Sequence, residues 1–256
     1  MDILQALIFG IVEGITEFLP ISSTGHLMLT AKLLHLGQSE FIKSFEIAIQ
    51  LGAILAVVVI YRDKLVNNNK IWKRLLVAFL PAALIGLLLY KIIKRCLLGN
   101  SQVVLWALFI GGLFLIIFEL FYRQKENAVE EISNISYPQA LIIGLFQSLA
   151  MIPGVSRSAS SIIGGLVVGL KRKTIVEFSF LLAIPTMLAA CAFDLFKSAG
   201  VFNPEQFVFL GVGFIVSFLV AMIAIKFLLV FIKRHSFISF GVYRIMIALI
   251  FWFIVK

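Results

Sequence analysis

Charged side chains are scarce in this sequence, at 14% of 256 residues against 61% hydrophobic. Soluble domains carry about a quarter charged residues, so a soluble fold is excluded. A mean hydropathy of +1.08 excludes a disordered chain as well. Acidic residues number only 13 against 22 Lys and Arg, a net charge of +9. In a soluble protein that excess would suggest nucleic acid. Here cationic loops that fix topology and face anionic lipid account for it, and no nucleic acid is expected. Cysteine is nearly absent: Cys96 and Cys191 lie far apart without CxxC spacing, so neither a disulfide framework nor a zinc site is indicated. Residues 1–20 contain acidic side chains and no basic one, so no signal peptide is expected there. Strict apolar/polar alternation is also missing, which argues against an outer-membrane barrel. What remains is an all-α, polytopic membrane protein forming a single membrane domain over 1–256.

Six stretches are apolar over a length that crosses a bilayer: 45–61, 75–94, 102–122, 175–196, 207–232 and 238–256. Two further apolar regions are broken, 2–35 at Leu19-Pro20-Ile21-Ser22-Ser23-Thr24-Gly25-His26 and 138–170 at Pro153-Gly154-Val155-Ser156-Arg157-Ser158. Arm, Pro/Ser/Gly break and second short arm make the pattern of a re-entrant helix hairpin, tolerated at membrane depth only where protein or a polar cavity satisfies the open backbone. The broken regions match each other at a constant offset of 134: Ala6-Leu7-Ile8 falls on Ala140-Leu141-Ile142, Gly10 on Gly144, Glu13 on Gln147, Ser22 on Ser156 and Thr24 on Ser158. At an offset of 133, Phe45, Leu55 and Ala56 meet Phe178, Leu188 and Ala189. Each half then holds one hairpin and three full spans, repeat one over 1–122 and repeat two over 138–256, with a polar hinge at 123–137. Three spans reverse the chain, so the expectation is an inverted-topology repeat. Arg62, Lys64, Lys70, Lys73, Arg74, Arg123, Lys125, Lys171, Arg172, Lys173, Lys233 and Arg234 collect on one side; the other has Lys32, Lys43, Lys91, Lys94, Arg95, Lys197 and Lys256. The richer side is expected to be cytoplasmic, which opens the first hairpin outward and inserts the second from the cytoplasm.

Several polar residues stand where lipid would reject them. Glu13 and Glu17 are four apart and share one helix face. Two carboxylates in low dielectric repel, unless a divalent cation or Arg and His partners lie between them. Ser22, Ser23, Thr24, Gly25 and His26 follow at the break, where hydroxyls and free N–H groups at a helix start form an anion site. Ser156, Arg157 and Ser158 mark the second break, with Ser160 and Ser161 beyond. Arginine at membrane depth needs an anion or a wet cavity, and its planar fork suits phosphate oxygens, although a plain ion pair to Glu13 or Glu17 would also satisfy it. Glu46 and Gln50 are again four apart, and Gln147, opposite Glu13 in the repeat, is a candidate cavity hydrogen-bonder. Arg244 and Glu177 are read as snorkelling near span ends. His35 and His235 are read as loop or interface residues.

Two carboxylates, a histidine, hydroxyls and an arginine inside a membrane fit an anionic headgroup whose tail stays in lipid. A lipid phosphatase or pyrophosphatase uses such parts, and so does a transporter or flippase for an anionic prenyl-phosphate lipid; the residues alone leave both open. Glu13-Gly14-Ile15-Thr16-Glu17-Phe18-Leu19-Pro20-Ile21-Ser22-Ser23-Thr24-Gly25-His26-Leu27 resembles the first signature of the bacterial undecaprenyl-diphosphate phosphatases, the bacitracin-resistance family. Phe45-Glu46-Ile47-Ala48-Ile49-Gln50-Leu51-Gly52 and Pro153-Gly154-Val155-Ser156-Arg157-Ser158 resemble its later signatures, with Ala159 where the family usually has Gly and Ser161 where it has Thr. The resemblance spans essentially the whole chain. It implies hydrolysis of undecaprenyl diphosphate to undecaprenyl phosphate and inorganic phosphate, recycling the carrier for peptidoglycan synthesis and conferring bacitracin resistance. It further implies a divalent cation, Mg²⁺ or Ca²⁺, and a bacterial inner-membrane site opening to the outer face. Expected partners are undecaprenyl diphosphate and membrane lipid, with a homodimer left open. Mapped onto this chain, Glu13 and Glu17 would bind the metal and His26 would be base or nucleophile, with Ser23 the other candidate nucleophile. Arg157 would clamp the phosphates, and Ser22, Thr24, Gly25, Ser156, Ser158, Glu46 and Gln50 would line the substrate.

Overall fold

A computed structural model describes residues 1–37, 39–92, 100–198 and 206–254 of the chain. Cys96, Lys94, Arg95 and Lys256, and the ends of two expected spans, lie outside the described residues. The regular elements among the described residues are helical: α1 (Ile3–Thr16), α2 (Ser23–Leu33), α3 (Glu40–Ile60), α4 (Arg62–Asn67), α5 (Asn69–Ile92), α6 (Ser101–Phe121), α7 (Tyr137–Ser148), α8 (Arg157–Val167), α9 (Arg172–Ser198), α10 (Gln206–Phe231) and α11 (Ile238–Ile254). A single isolated bridge pairs Val129 with Leu170. Five of these helices are long and apolar enough to cross a membrane: Phe41–Ile60, Asn69–Leu89, Ser101–Phe121, Arg172–Ala192 and Gln206–Phe231. The chain is therefore an all-helical, multi-pass membrane protein. The sixth expected segment forms a shorter apolar helix, Ile238–Phe253. Helix and apolar run do not coincide everywhere, because a nucleated helix continues into polar flanks. Thus α5 already runs through Asn69-Lys70-Ile71-Trp72-Lys73-Arg74, ahead of its expected start.

The two broken regions fold as helix, turn and helix. Asp2 and Gln5 form a reciprocal cap at the start of α1, and Ser136 and Gln139, at the same offset of 134, do so for α7. Prolines without an N–H, Pro20 and Pro153, follow the ends of these arms and stop them. The chain then turns through Ser22 (φ 72°, ψ 94°) and Ser156 (φ 78°, ψ 116°). Their hydroxyls accept the N–H groups of Gly25 at 3.4 Å and Ala159 at 3.2 Å, starting α2 and α8. A left-handed φ at a residue with a Cβ costs on the order of 1–3 kcal/mol and persists only where the surroundings hold it.

Packing exchanges the arms between the halves. α1 lies against α10, while α7 lies against α5; α3 and α9 pack on each other and α6 pairs with α11. Lipid supplies no hydrophobic drive between helices, so close backbone approach over small residues must hold them. A Cβ built on Gly10 would lie 2.8 Å from the Gly213 carbonyl oxygen, and one on Gly144, at the same offset of 134, would collide with the Ala78 carbonyl. Gly112 and Gly241 face each other in the same way across α6 and α11. At one end of the bundle, buried Glu119 takes a bidentate pair of bonds from Arg172 at 2.5 and 2.8 Å. Glu177, read from sequence as a snorkelling residue, is instead buried and bonded by Lys64 at 2.5 Å, with Lys173 at 3.9 Å. The hinge is pinned to the start of α9 by Lys171 on Glu130 and by the Thr174 hydroxyl on the Glu130 carbonyl.

Gly213→Leu is expected to overpack α10 against Phe45 and Ile49 of α3, costing about 1–3 kcal/mol and lowering the thermal midpoint in detergent. Gly211→Leu, whose Cβ would meet open space, should leave the midpoint near wild type. Equal shifts in the two variants would refute the close-approach account.

Candidate active site

The two breaks meet, and the side chains at their tips are joined across them. Ser158 at the start of α8 donates to the Phe18 carbonyl at 2.8 Å, tying the second break to the first. Arg157 reaches over the same junction: Nη2 bonds Glu17 Oε1 at 3.2 Å and Nη1 donates to the Ser179 carbonyl of α9 at 2.8 Å, while Nε has no partner. The other oxygen of Glu17 accepts the Ser23 hydroxyl at 2.5 Å. Glu17 therefore sits between a guanidinium and a hydroxyl, with one oxygen committed to each.

Glu17, Ser23 and Arg157 line a cavity of about 530 Å³. Its polar end is formed by Glu17, Ser22, Ser23 and Thr24 from the first break, Ser156 and Arg157 from the second, and Gln50, Gln147 and Thr186 from the neighbouring helices. The helices α2 and α8 both begin at this wall, so two sets of free N–H groups and two positive dipole ends border it. Both ends of the Gln147 amide are buried without partners on the same wall. Unpaired buried donors and acceptors cost about 1–3 kcal/mol each, and they are available to a polar ligand. The remaining lining is apolar.

The structure separates the expected residues into two groups. Glu17, Ser22, Ser23, Thr24, Gln50, Ser156 and Arg157 border the cavity; Glu13, Gly25, His26, Glu46 and Ser158 do not. Glu13 is fully buried one turn behind Glu17, with neither oxygen hydrogen-bonded. Glu46 is half-buried on α3, one turn before Gln50. Gly25 packs towards Leu108 and Val104 of α6. His26 stands behind the first break. Its Nδ1 meets the Ser22 carbonyl at 2.8 Å and its Nε2 the Tyr243 hydroxyl at 2.9 Å. A carbonyl can only accept, so Nδ1 carries the proton and Nε2 of the neutral ring accepts from Tyr243. The two rings lie parallel, 5.6 Å apart. His35 lies in the turn after α2 and His235 stacks on Phe231 at the surface, as expected.

Sequence reasoning missed the partners that fix the site from behind. Arg244, read as snorkelling, is 1% exposed on α11. Its guanidinium donates to the carbonyls of Val155 at 3.0 Å, Gly154 at 3.0 Å, Ala107 at 3.0 Å and Pro20 at 3.4 Å. One side chain thus satisfies backbone oxygens from both breaks, the pairing that buried irregular backbone requires. Tyr243 and Ser179 were likewise not placed in the site, whereas Gln147, read from sequence as a candidate cavity hydrogen-bonder, does line the cavity. The available signal was Arg244 itself, a charge in a long apolar run that lacks any acidic side chain to pair with.

Fold and site together define a multi-pass helical membrane protein with a carboxylate, a serine and an arginine gathered on the wall of one cavity. The model of the bacitracin resistance protein BacA family matches residues 6–250, and the chain belongs to that family. Among similar proteins are three named undecaprenyl-diphosphatase. That of Aquifex aeolicus (strain VF5) is 53% identical over 247 residues, covering 96% of each chain. That of Persephonella marina is 51% identical over 251 residues, 98% of each. That of Wolinella succinogenes is 51% identical over 253 residues, 99% of this chain and 98% of the relative.

Arg244→Met is expected to strand the carbonyls of Pro20, Gly154 and Val155 at about 1–3 kcal/mol each, lowering the thermal midpoint well below that of Lys226→Met, a substitution on α10 outside the junction. A midpoint unchanged in Arg244→Met would remove the clamp.

Proposed function

We propose that this protein hydrolyses undecaprenyl diphosphate to undecaprenyl phosphate and inorganic phosphate, and that by regenerating the lipid carrier for envelope polymers it confers resistance to bacitracin. The observation that carries the reading is the Arg157–Glu17–Ser23 relay on the cavity wall. The hydrolase name shared by close relatives favours hydrolysis over carriage of the lipid.

In the reaction we infer, the diphosphate enters against the starts of α2 and α8. Ser23 Oγ attacks the terminal phosphorus and passes its proton to Glu17 Oε2. The bridging P–O bond breaks and undecaprenyl phosphate leaves. Water then attacks the phosphoserine, releasing inorganic phosphate and restoring Ser23. Arg157, with Nε unpaired and Nη2 on Glu17, holds phosphoryl oxygens and offsets the charge that develops on them. Ser22, Thr24, Ser156, Gln50 and Gln147 supply hydrogen bonds around the headgroup. His26 is a positioning residue that holds the Ser22 carbonyl and orients the first break, that carbonyl fixing its tautomer and the Tyr243 hydroxyl holding the far side of its ring.

The donor set fits a hard divalent cation such as Mg²⁺ or Ca²⁺. Glu13 is a buried carboxyl group close beside Glu17, and its oxygens receive no hydrogen bond from any other side chain or from the backbone. No group of three or more His, Cys, Asp or Glu that could hold an ion occurs among the described residues. Substrate oxygens and water would therefore complete the shell, as is usual for Mg²⁺. When bound, the ion would neutralise charge on the diphosphate. We further read α11 as a sixth crossing and the α1–α2 and α7–α8 pairs as re-entrant hairpins of an inverted repeat. The shared caps, the two serine turns and the exchanged packing support this. Cationic loops support an inner-membrane orientation with the cavity reached from the outer face.

Purified protein is expected to release phosphate from a polyprenyl diphosphate, and Ser23→Ala, Glu17→Gln and Arg157→Met should each lose on the order of 10²-fold or more. Rapid acid quench with labelled substrate should trap an acid-stable phosphoenzyme, the behaviour of phosphoserine. Acid-labile label that disappears in His26→Ala would transfer the nucleophile role to His26, and Ser23→Ala with wild-type turnover would sink the relay. Chelation should stop turnover and Mg²⁺ or Ca²⁺ restore it, with Glu13→Gln needing more metal; turnover indifferent to chelator would remove the cation.

A further inference from the structure

The cavity is amphipathic along its length, and that asymmetry has a consequence for the ligand. Glu17 and Arg157 are the charged residues of its lining, and both stand at the end where the breaks meet. Away from that end the walls are small and apolar: Ala82, Ala83 and Gly86 from α5, and Ala189 and Ala190 from α9. Burial decreases in the same direction. Ala82 and Ala83 are half-buried, Ala189 and Ala190 are exposed, and Leu87, still part of the lining, is 68% exposed. Around this opening the outward side chains are Leu84, Leu88, Leu149, Ile152 and Leu188, an apolar rim of the kind that faces acyl chains. A cavity of about 530 Å³ is sized for a drug-like ligand. A lipid diphosphate whose headgroup fills the polar end must leave most of its tail outside.

We infer that the gap between the C-terminal part of α5 and the second break with α9 is a lateral portal through which the polyprenyl tail of the substrate leaves the active site into the bilayer. Gly86 and Met151 form its throat. A Cβ at Gly86 would meet only Met151, at 3.4 Å from its terminal methyl and 3.9 Å from its sulfur. The absent side chain on α5 and the flexible thioether opposite leave a passage that can widen to admit a chain of isoprene units. The portal rests on the proposed lipid-diphosphate chemistry and adds to it a determinant of chain-length specificity, residue 86.

The test compares wild type, Gly86→Phe and the double variant Gly86→Phe/Met151→Ala on two substrates, undecaprenyl diphosphate and the five-carbon isopentenyl diphosphate. Gly86→Phe should lower kcat/KM for the long lipid at least tenfold and change that for the short one by less than twofold, and removal of the Met151 side chain should restore the long-lipid rate. A parallel fall on both substrates with an unchanged thermal midpoint, or no fall on either, overturns the portal. Benzoylphenylalanine at Leu87 in an otherwise wild-type chain gives a readout independent of turnover and of the folding of the Phe variant. It should crosslink a long polyprenyl diphosphate in preference to the same probe at Leu120 of α6, also exposed, and equal labelling at both positions overturns the portal. Wild type that hydrolyses neither substrate yet crosslinks at Leu87 would cost the phosphatase reading and leave the portal standing.

Discussion

Everything at this site depends on the satisfaction of backbone carbonyls where two helical arms break inside an apolar protein. Apolar surroundings offer no donor to an open C=O, so irregular backbone buried in them survives only if the protein supplies one. Arg244 does so with one guanidinium, collecting oxygens of Pro20, Gly154 and Val155 and of Ala107 on α6. Ser158 adds the Phe18 carbonyl and His26 that of Ser22. The donors come from α11, α8 and α2, so the junction is assembled from distant stretches of chain. With the breaks held, Ser22 and Ser156 can keep left-handed backbone, α2 and α8 can start where they do, and Ser23 and Arg157 can both reach Glu17.

The charged groups divide the labour. Arg244 is buried and faces carbonyl dipoles, so it acts as scaffold. Arg157 faces a carboxylate and the cavity, and one of its nitrogens is unpaired. Glu17 holds one oxygen on Arg157 and the other on the Ser23 hydroxyl, which keeps a proton acceptor against the group that has a proton to lose. Glu13 behind it is a buried carboxyl group whose oxygens receive no hydrogen bond, a costly arrangement for a polar group. At the far end of the bundle the ion pairs of Glu119 and Glu177 with Arg172 and Lys64 serve only to join α4, α6 and α9.

Much of this was legible from residue order. Pro20 and Pro153 in apolar surroundings announce the breaks, and the repeat offset pairs Ser22 with Ser156 before any coordinate is known. The offset also pairs Asp2 with Ser136 and Gln5 with Gln139, a capping correspondence that becomes visible only when the caps are seen. The intramembrane Glu17, Ser23 and Arg157 are conspicuous by type, and they do converge. Arg244 was misjudged because its partners are carbonyls, which every residue possesses and no letter marks. His26 is conspicuous by type as well, but residue order does not show that its ring bonds the Ser22 carbonyl and Tyr243 rather than lining the cavity. Hydropathy located the spans but not their pairing, since an all-round apolar helix such as α10 has no face that names its neighbour.

The exchanged packing bears on how the chain can be made. When synthesis has reached the end of α6, α1 exposes the glycine face that α10 will cover and α5 exposes the surface that α7 will cover. Neither half can close its own core, so an incomplete polypeptide must wait in the bilayer with small-residue grooves open to lipid. The residues that line the cavity are all in place by Ala190, but the breaks that shape it are clamped only when α11 brings Arg244, and a chain stopped short of α11 would carry those carbonyls without their donor.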